Sequence, residues 1–185
     1  MIAFDVLLLF VTASAALAIA PGPDNIFVLT QSAVHGIKAG VFVILGLCTG
    51  LLVHITAVAL GVAAIFQTST IAFTVLKVVG GIYLLVLAWQ AFRAGNEKIP
   101  TSNEKPIGFK ALYLRGIIMN VTNPKVAIFF LAFLPQFVDP LRGPIPVQII
   151  LLGAAFIATA FVIFSLIAWT ASQIGDYLNK SERVQ

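Results

Sequence analysis

Residues 116–137 read GIIMNVTNPKVAIFFLAFLPQF, and the fold turns on how Asn123-Pro124-Lys125 sits between the apolar runs 111–119 and 126–134. In lipid each unpaired backbone group costs several kcal/mol, so a break at such depth is tolerated only where it is buried in protein or lines a cavity. A second break of the same kind, Pro21-Gly22-Pro23-Asp24-Asn25, lies about a hundred residues earlier, and paired interruptions in two halves of a chain point to a transporter binding site.

Working outward, composition agrees with a membrane setting. Of 185 residues 60% are hydrophobic and only 10% charged, with a mean hydropathy of +1.05. That is more apolar surface than one soluble core hides, so the expectation is an all-α, polytopic membrane helix bundle forming a single membrane domain over 1–185. The net charge of +4 does not indicate nucleic acid. The basic residues sit in short connections and form no stripe with interleaved aromatics, which suits topology determinants. The lone Cys48 excludes an intramolecular disulfide and reads as packing.

Residues 2–20 end in Ala18-Ile19-Ala20, which looks like a signal-peptide cleavage site. With Asp5 where a positive n-region belongs, and Pro21 next, the stretch reads instead as a retained first span. Together with 26–34 it forms a broken span, near 50 Å if continuous, against a hydrocarbon core of roughly 30 Å. Further spans are expected at 40–66, 71–92, 109–137 and 146–172. Gly36, Gly40, Gly46 and Gly50 make two G-x-x-x-G pairs suited to close helix packing. The spans divide into a first repeat over 1–92, a hydrophilic connection over 93–106 and a second repeat over 107–185. Three spans separate corresponding breaks, so two inverted repeats are expected, with 3 + 2 visible spans and broken helices at Pro21-Pro23 and Asn123-Lys125.

Lys38, Arg93, Lys98, Lys105, Lys110, Arg115, Lys180 and Arg183 share one side, eight of the eleven basic residues. This places the 93–110 connection in the cytoplasm and the N-terminus outside.

The residues also carry a family likeness. Leu114-Arg115-Gly116, Asn120, Asn123-Pro124-Lys125, Phe129-Phe130 and Phe133-Leu134-Pro135-Gln136-Phe137 resemble the central motif of the LysE/RhtB family of amino-acid exporters. The PGPDN stretch with its following glycines is similar to the family's N-terminal motif, and Lys77, Gly80, Tyr83-Leu84 and Arg93 resemble its third helix. The likeness covers nearly the whole chain in order. It implies a bacterial inner-membrane secondary transporter that exports amino acids or similar small metabolites, driven by the proton gradient through alternating access. It implies no enzyme activity and no cofactor, and it leaves the particular amino acid open. It also implies a sixth helix. Without one, the chain is expected to transport poorly unless it forms a homo-oligomer that covers the open surface, and the alternative reading is a truncated, non-transporting membrane partner or scaffold of the same fold.

The candidate substrate-binding residues are Pro21, Gly22, Pro23, Asp24, Asn25, Asn120, Asn123, Pro124 and Lys125. Pro23 and Asp24 suit a helix start, as do Asn123 and Pro124. Asp24 therefore has two readings, a helix-terminal acid or an intramembrane carboxylate that takes a substrate ammonium or the coupling proton. Lys125 is at odds with the positive end of its own helix and needs an anionic partner or a route to water. Inverted repeats place it opposite Asp24, so a switchable ion pair is expected. The half-helix N–H groups suit a substrate carboxylate, and Gln31 and Gln136 are weaker candidates. His35, Cys48 and His54 have no metal-ligand spacing, and no hydrolase, zincin or phosphate-loop motif is present.

Overall fold

The computed structural model describes residues 2–68, 70–93 and 107–182. The 94–106 part of the expected connection lies outside them. The described chain is helical throughout: α1 Phe4–Ile19, α2 Pro23–His35, α3 Ile37–Thr68, α4 Thr70–Arg93, α5 Phe109–Val121, α6 Pro124–Ile128 and α7 Ile145–Glu182. Helices α3 and α7 are each long and apolar enough to cross a membrane, and the bent pairs α1 with α2 and α5 with the segment Pro124–Phe137 pass the same test jointly. The expected 71–92 span coincides with α4.

Both breaks have local causes. Pro21 and Pro23 carry no N–H, so the carbonyls of Leu17 and Ile19 lose the donors that would continue α1. Gly22 is extended, with φ −174° and ψ 173°, Pro23 occupies the first turn of α2, and the two helices meet at 63°. In the second half Pro124 drives Asn123 out of the helical region, to φ −75° and ψ 109°. The Asn123 side chain then accepts a hydrogen bond from the Lys125 backbone N–H at 3.0 Å, capping α6, and the bend is 49°.

Beyond α6 the continuation to Phe137 is not a regular α-helix. Phe129–Phe133 form a π turn and Leu134–Phe137 a 3-10 turn. Pro135 has no N–H to offer, and the Leu134 N–H reaches back to Phe129 O. Gln136 Nε2 donates to Ala132 O at 2.8 Å, so this residue serves as a local cap. After the 3-10 turn Pro140–Arg142, Gly143 adopts φ 132°, a region favourable only to glycine. Gln148, in the first turn of α7, fastens this loop: its amide donates to Asp139 O and Gly143 O, and its carbonyl accepts from the Asp139 N–H.

Helix α3 is the centre of the bundle. Its residues Val43, Ile44, Leu47, Leu51, Ile55 and Val58 are buried at helical spacing. On another face Gly46 and Gly50 let α5 come to backbone contact: a Cβ at Gly46 would collide with Tyr113 O, and one at Gly50 would crowd the Asn120 side chain. Gly40 makes room for Ser32. Gly36 departs from the expected packing role, because it is the whole turn between α2 and α3, with φ 81° and nothing near it. Helix α7 runs ten residues beyond the expected 172, so the described part of the polar tail, to Glu182, is helical.

The two ends of the bundle are told apart by contacts. At one, Phe10 of α1 meets Phe137 edge-on at 5.1 Å. At the other, Phe42 stacks on Phe109 at 4.7 Å, and Gly175 of α7 lies against the backbone of Ala33. The start of α3, the start of α5 and the end of α7 therefore share an end, which groups Lys38, Lys110 and Arg115 together.

Candidate functional site

The two breaks meet inside the bundle. Asp24, in the first turn of α2, is 2% exposed, and its Oδ2 accepts from Asn123 Nδ2 at 2.9 Å across 99 positions of sequence. Its other oxygen has no hydrogen-bond partner. Asn120, at the end of α5, is also 2% exposed with an unpartnered Oδ1. Both residues line a cavity of about 20 Å³ together with Lys125, Leu51, Phe156 and Phe164. A water needs roughly 10–15 Å³ of such volume, so this cavity admits one water and no amino acid.

Asp24 and Lys125 do not form the expected ion pair; among the described residues the ion pair is Arg142 with Asp139. Lys125 turns instead to the end of α1, donating to Leu17 O at 3.2 Å and Ala20 O at 2.9 Å. Asn25 Nδ2 takes Ala18 O at 2.7 Å. These are carbonyls that a helix C-terminus leaves open. The physical reason is the dipole: the ammonium that is misplaced at the start of α6 is well placed at the negative end of α1. A trace of this was in the sequence, since Pro21 removes the N–H that would have closed on Leu17.

The remaining candidates are placed as follows. Gly22 lies against Lys125, where an added Cβ would stand 3.1 Å from Nζ. Pro21, Pro23 and Pro124 are exposed, on the outside of the bends they cause. Gln31 is buried with its Oε1 unpartnered.

In the sequence His54 is weighed only as a metal ligand. It is buried on α3, stacks on Phe130 with ring centroids 5.8 Å apart, and its Nε2 lies 3.1 Å from Asn120 O. A carbonyl only accepts, so Nε2 is the donor. The same carbonyl takes the Asn123 N–H at 3.0 Å, so His54 braces the second break. Its position one turn beyond Gly50, on the α5 side of α3, was the available signal. Among the described residues no group of His, Cys, Asp and Glu could hold a metal ion.

Two broken spans that meet at a buried carboxylate, a lysine and asparagines inside a helical bundle are an arrangement that secondary transporters use. The family model described as LysE type translocator matches residues 15–185, and the chain belongs to that family. It is 32% identical over 176 residues to a homoserine/homoserine lactone efflux protein of Salmonella typhimurium, covering 95% of this chain and 85% of that protein. It is 33% identical over 162 residues to an uncharacterized membrane protein of Vibrio cholerae, covering 87% and 78%. A leucine efflux protein of Salmonella choleraesuis is 25% identical over 169 residues, covering 91% and 80%. No solved structure gives a significant match.

Proposed function

We propose that this protein exports amino acids or similar small metabolites across the bacterial inner membrane in exchange for protons, by alternating access around the crossing of its two breaks. The observation that carries this is Asp24: an almost fully buried carboxylate with one oxygen unpartnered, facing a cavity, in a member of a translocator family. Ionisable groups at such depth are functional by default. The roles follow from chemistry. Asp24 takes the substrate ammonium in one state and a proton in the other. Asn25, Asn120, Asn123 and Lys125 take the carboxylate end, and Gly22 with Pro21 and Pro23 shapes the backbone that leaves the first N–H groups of α2 without helical partners, while Pro124 sets the second bend. Alternating access is supported by the cavity volume, because a cavity that admits one water must widen on one side to load an amino acid. The halves 1–92 and 107–185 supply one break each. The Lys38 end faces the cytoplasm, as the excess of basic residues there favours.

Purified protein in vesicles loaded with labelled homoserine or leucine tests the reading. Wild type is expected to release substrate faster when a proton gradient is imposed, and Asp24→Asn is expected to lose that acceleration. A wild type inert to both amino acids, or an Asp24→Asn form still driven by the gradient, overturns it.

A further inference from the structure

Six buried side-chain atoms have no hydrogen-bond partner among the described residues, and five of them belong to α2: those of Asp24, Asn25, Thr30, Gln31 and Ser32. Buried polar groups are normally paired, and each unpaired one costs free energy. Of these five, Asp24 and Gln31 lie on one face of the thirteen-residue helix, seven positions apart. Asp24, Phe27 and Gln31 follow one another at spacings of three and four, so they lie along one face and lead from the cavity toward the Lys38 end. On that face the Arg115 guanidinium of α5 sits 4.8 Å from the centroid of the Phe27 ring. Arg115 is exposed, and its contact within the described chain is with the ring alone. Its planar fork of donors is free for a carboxylate, which it matches in geometry.

We infer that Arg115, Phe27 and Gln31 form a loading subsite for an α-amino acid on the face of α2 that runs from Asp24 toward the Lys38 end, with Phe27 one helical turn and Gln31 two turns from Asp24. Arg115 takes the carboxylate and the Gln31 carbonyl takes the ammonium. Phe27 is the subsite residue nearest Asp24 along this face, so substrate passes its ring on the way to the cavity. This rests on the export reading and extends it with a first stop for the substrate.

The test uses full-length protein in inverted membrane vesicles, where the loading face is outward, with labelled leucine as the probe. Arg115→Ala is expected to raise the half-saturating concentration roughly tenfold or more, the loss of a charge-assisted hydrogen bond, while the saturated rate remains. Arg115→Lys should fall between, and Gln31→Leu should raise the half-saturating concentration as well. A second readout is competition by leucinol, which has the ammonium but no carboxylate. It should compete poorly with leucine in wild type and nearly equally in Arg115→Ala. Arg115→Gln serves in place of Arg115→Ala if the latter does not accumulate in the membrane. An unchanged half-saturating concentration, a defect confined to the saturated rate, or one seen only in vesicles rich in anionic lipid overturns the subsite, the last assigning Arg115 to lipid phosphate. Each of those results leaves export standing, whereas a wild type inert to leucine and homoserine removes both.

Discussion

Lys125 shows how a side chain unsuited to its own helix can be stabilised by another. Its two hydrogen bonds to Leu17 O and Ala20 O hold the end of α1 against the start of α6. Lys125→Met removes the donors and leaves both part-buried carbonyls without these partners, at about 1 kcal/mol for each. Asp24 hydrogen-bonds Asn123 rather than Lys125, but the two opposite charges line the same cavity, so part of the loss should depend on the charge at position 24. Thermal unfolding of wild type, Asp24→Asn, Lys125→Met and the double variant in detergent measures this as a coupling of about 0.5 kcal/mol or more, smaller than the loss from Lys125→Met itself. Full recovery of stability in the double variant would show instead that the two hydrogen bonds to α1 contribute nothing. That Lys125 needs a partner is legible in the sequence from its place after Asn123-Pro124. The identity of the partner is not, because backbone carbonyls carry no residue-type signal and the C-terminus of α1 becomes a neighbour only when the bundle closes.

Among the elements, the α3–α5 pair depends most on side chains that are missing. Gly46 faces Tyr113 O and Gly116 faces Val43 O, each at a separation that a Cβ would not permit. Gly46→Ala and Gly116→Ala are each expected to lower stability by about 1–3 kcal/mol through overpacking. Gly61→Ala, where nothing stands within 4 Å, should be neutral. Detergent melting curves of the three variants provide the comparison, and equal melting of all three would refute the close approach. The spans, both breaks and the packing use of Gly46 and Gly50 can be read from hydropathy, proline and glycine spacing. The π turn at Phe129–Phe133 cannot, since FFLAF has an ordinary helical pattern and the widened turn arises where the ladder runs into Pro135. Gly36 falls both on the glycine spacing and in the short polar connection His35-Gly36-Ile37-Lys38 legible in the sequence, and the positive φ shows that it serves the connection.

At the scale of the molecule, the bundle has a basic end, with Lys38, Lys110 and Arg115, and an opposite end built from the start of α1 and the loop before α7. Orientation in the membrane is tested by single cysteines at Asn103 and Leu141 in a Cys48→Ala background. Leu141 is 96% exposed, and its substitution avoids the strain that any side chain would meet at Gly143. An impermeant thiol reagent applied to intact cells should label position 141 and spare 103; the reverse pattern would invert the assignment. At the Leu141 end the amide of Gln148 makes three hydrogen bonds into the turn. Lifting that turn away from α7 breaks all three, at roughly 0.5–1.5 kcal/mol each, so the turn is fastened to α7 and travels with it like a handle on a lever. On the export reading, passage at this end depends on how far a 38-residue rod tilts.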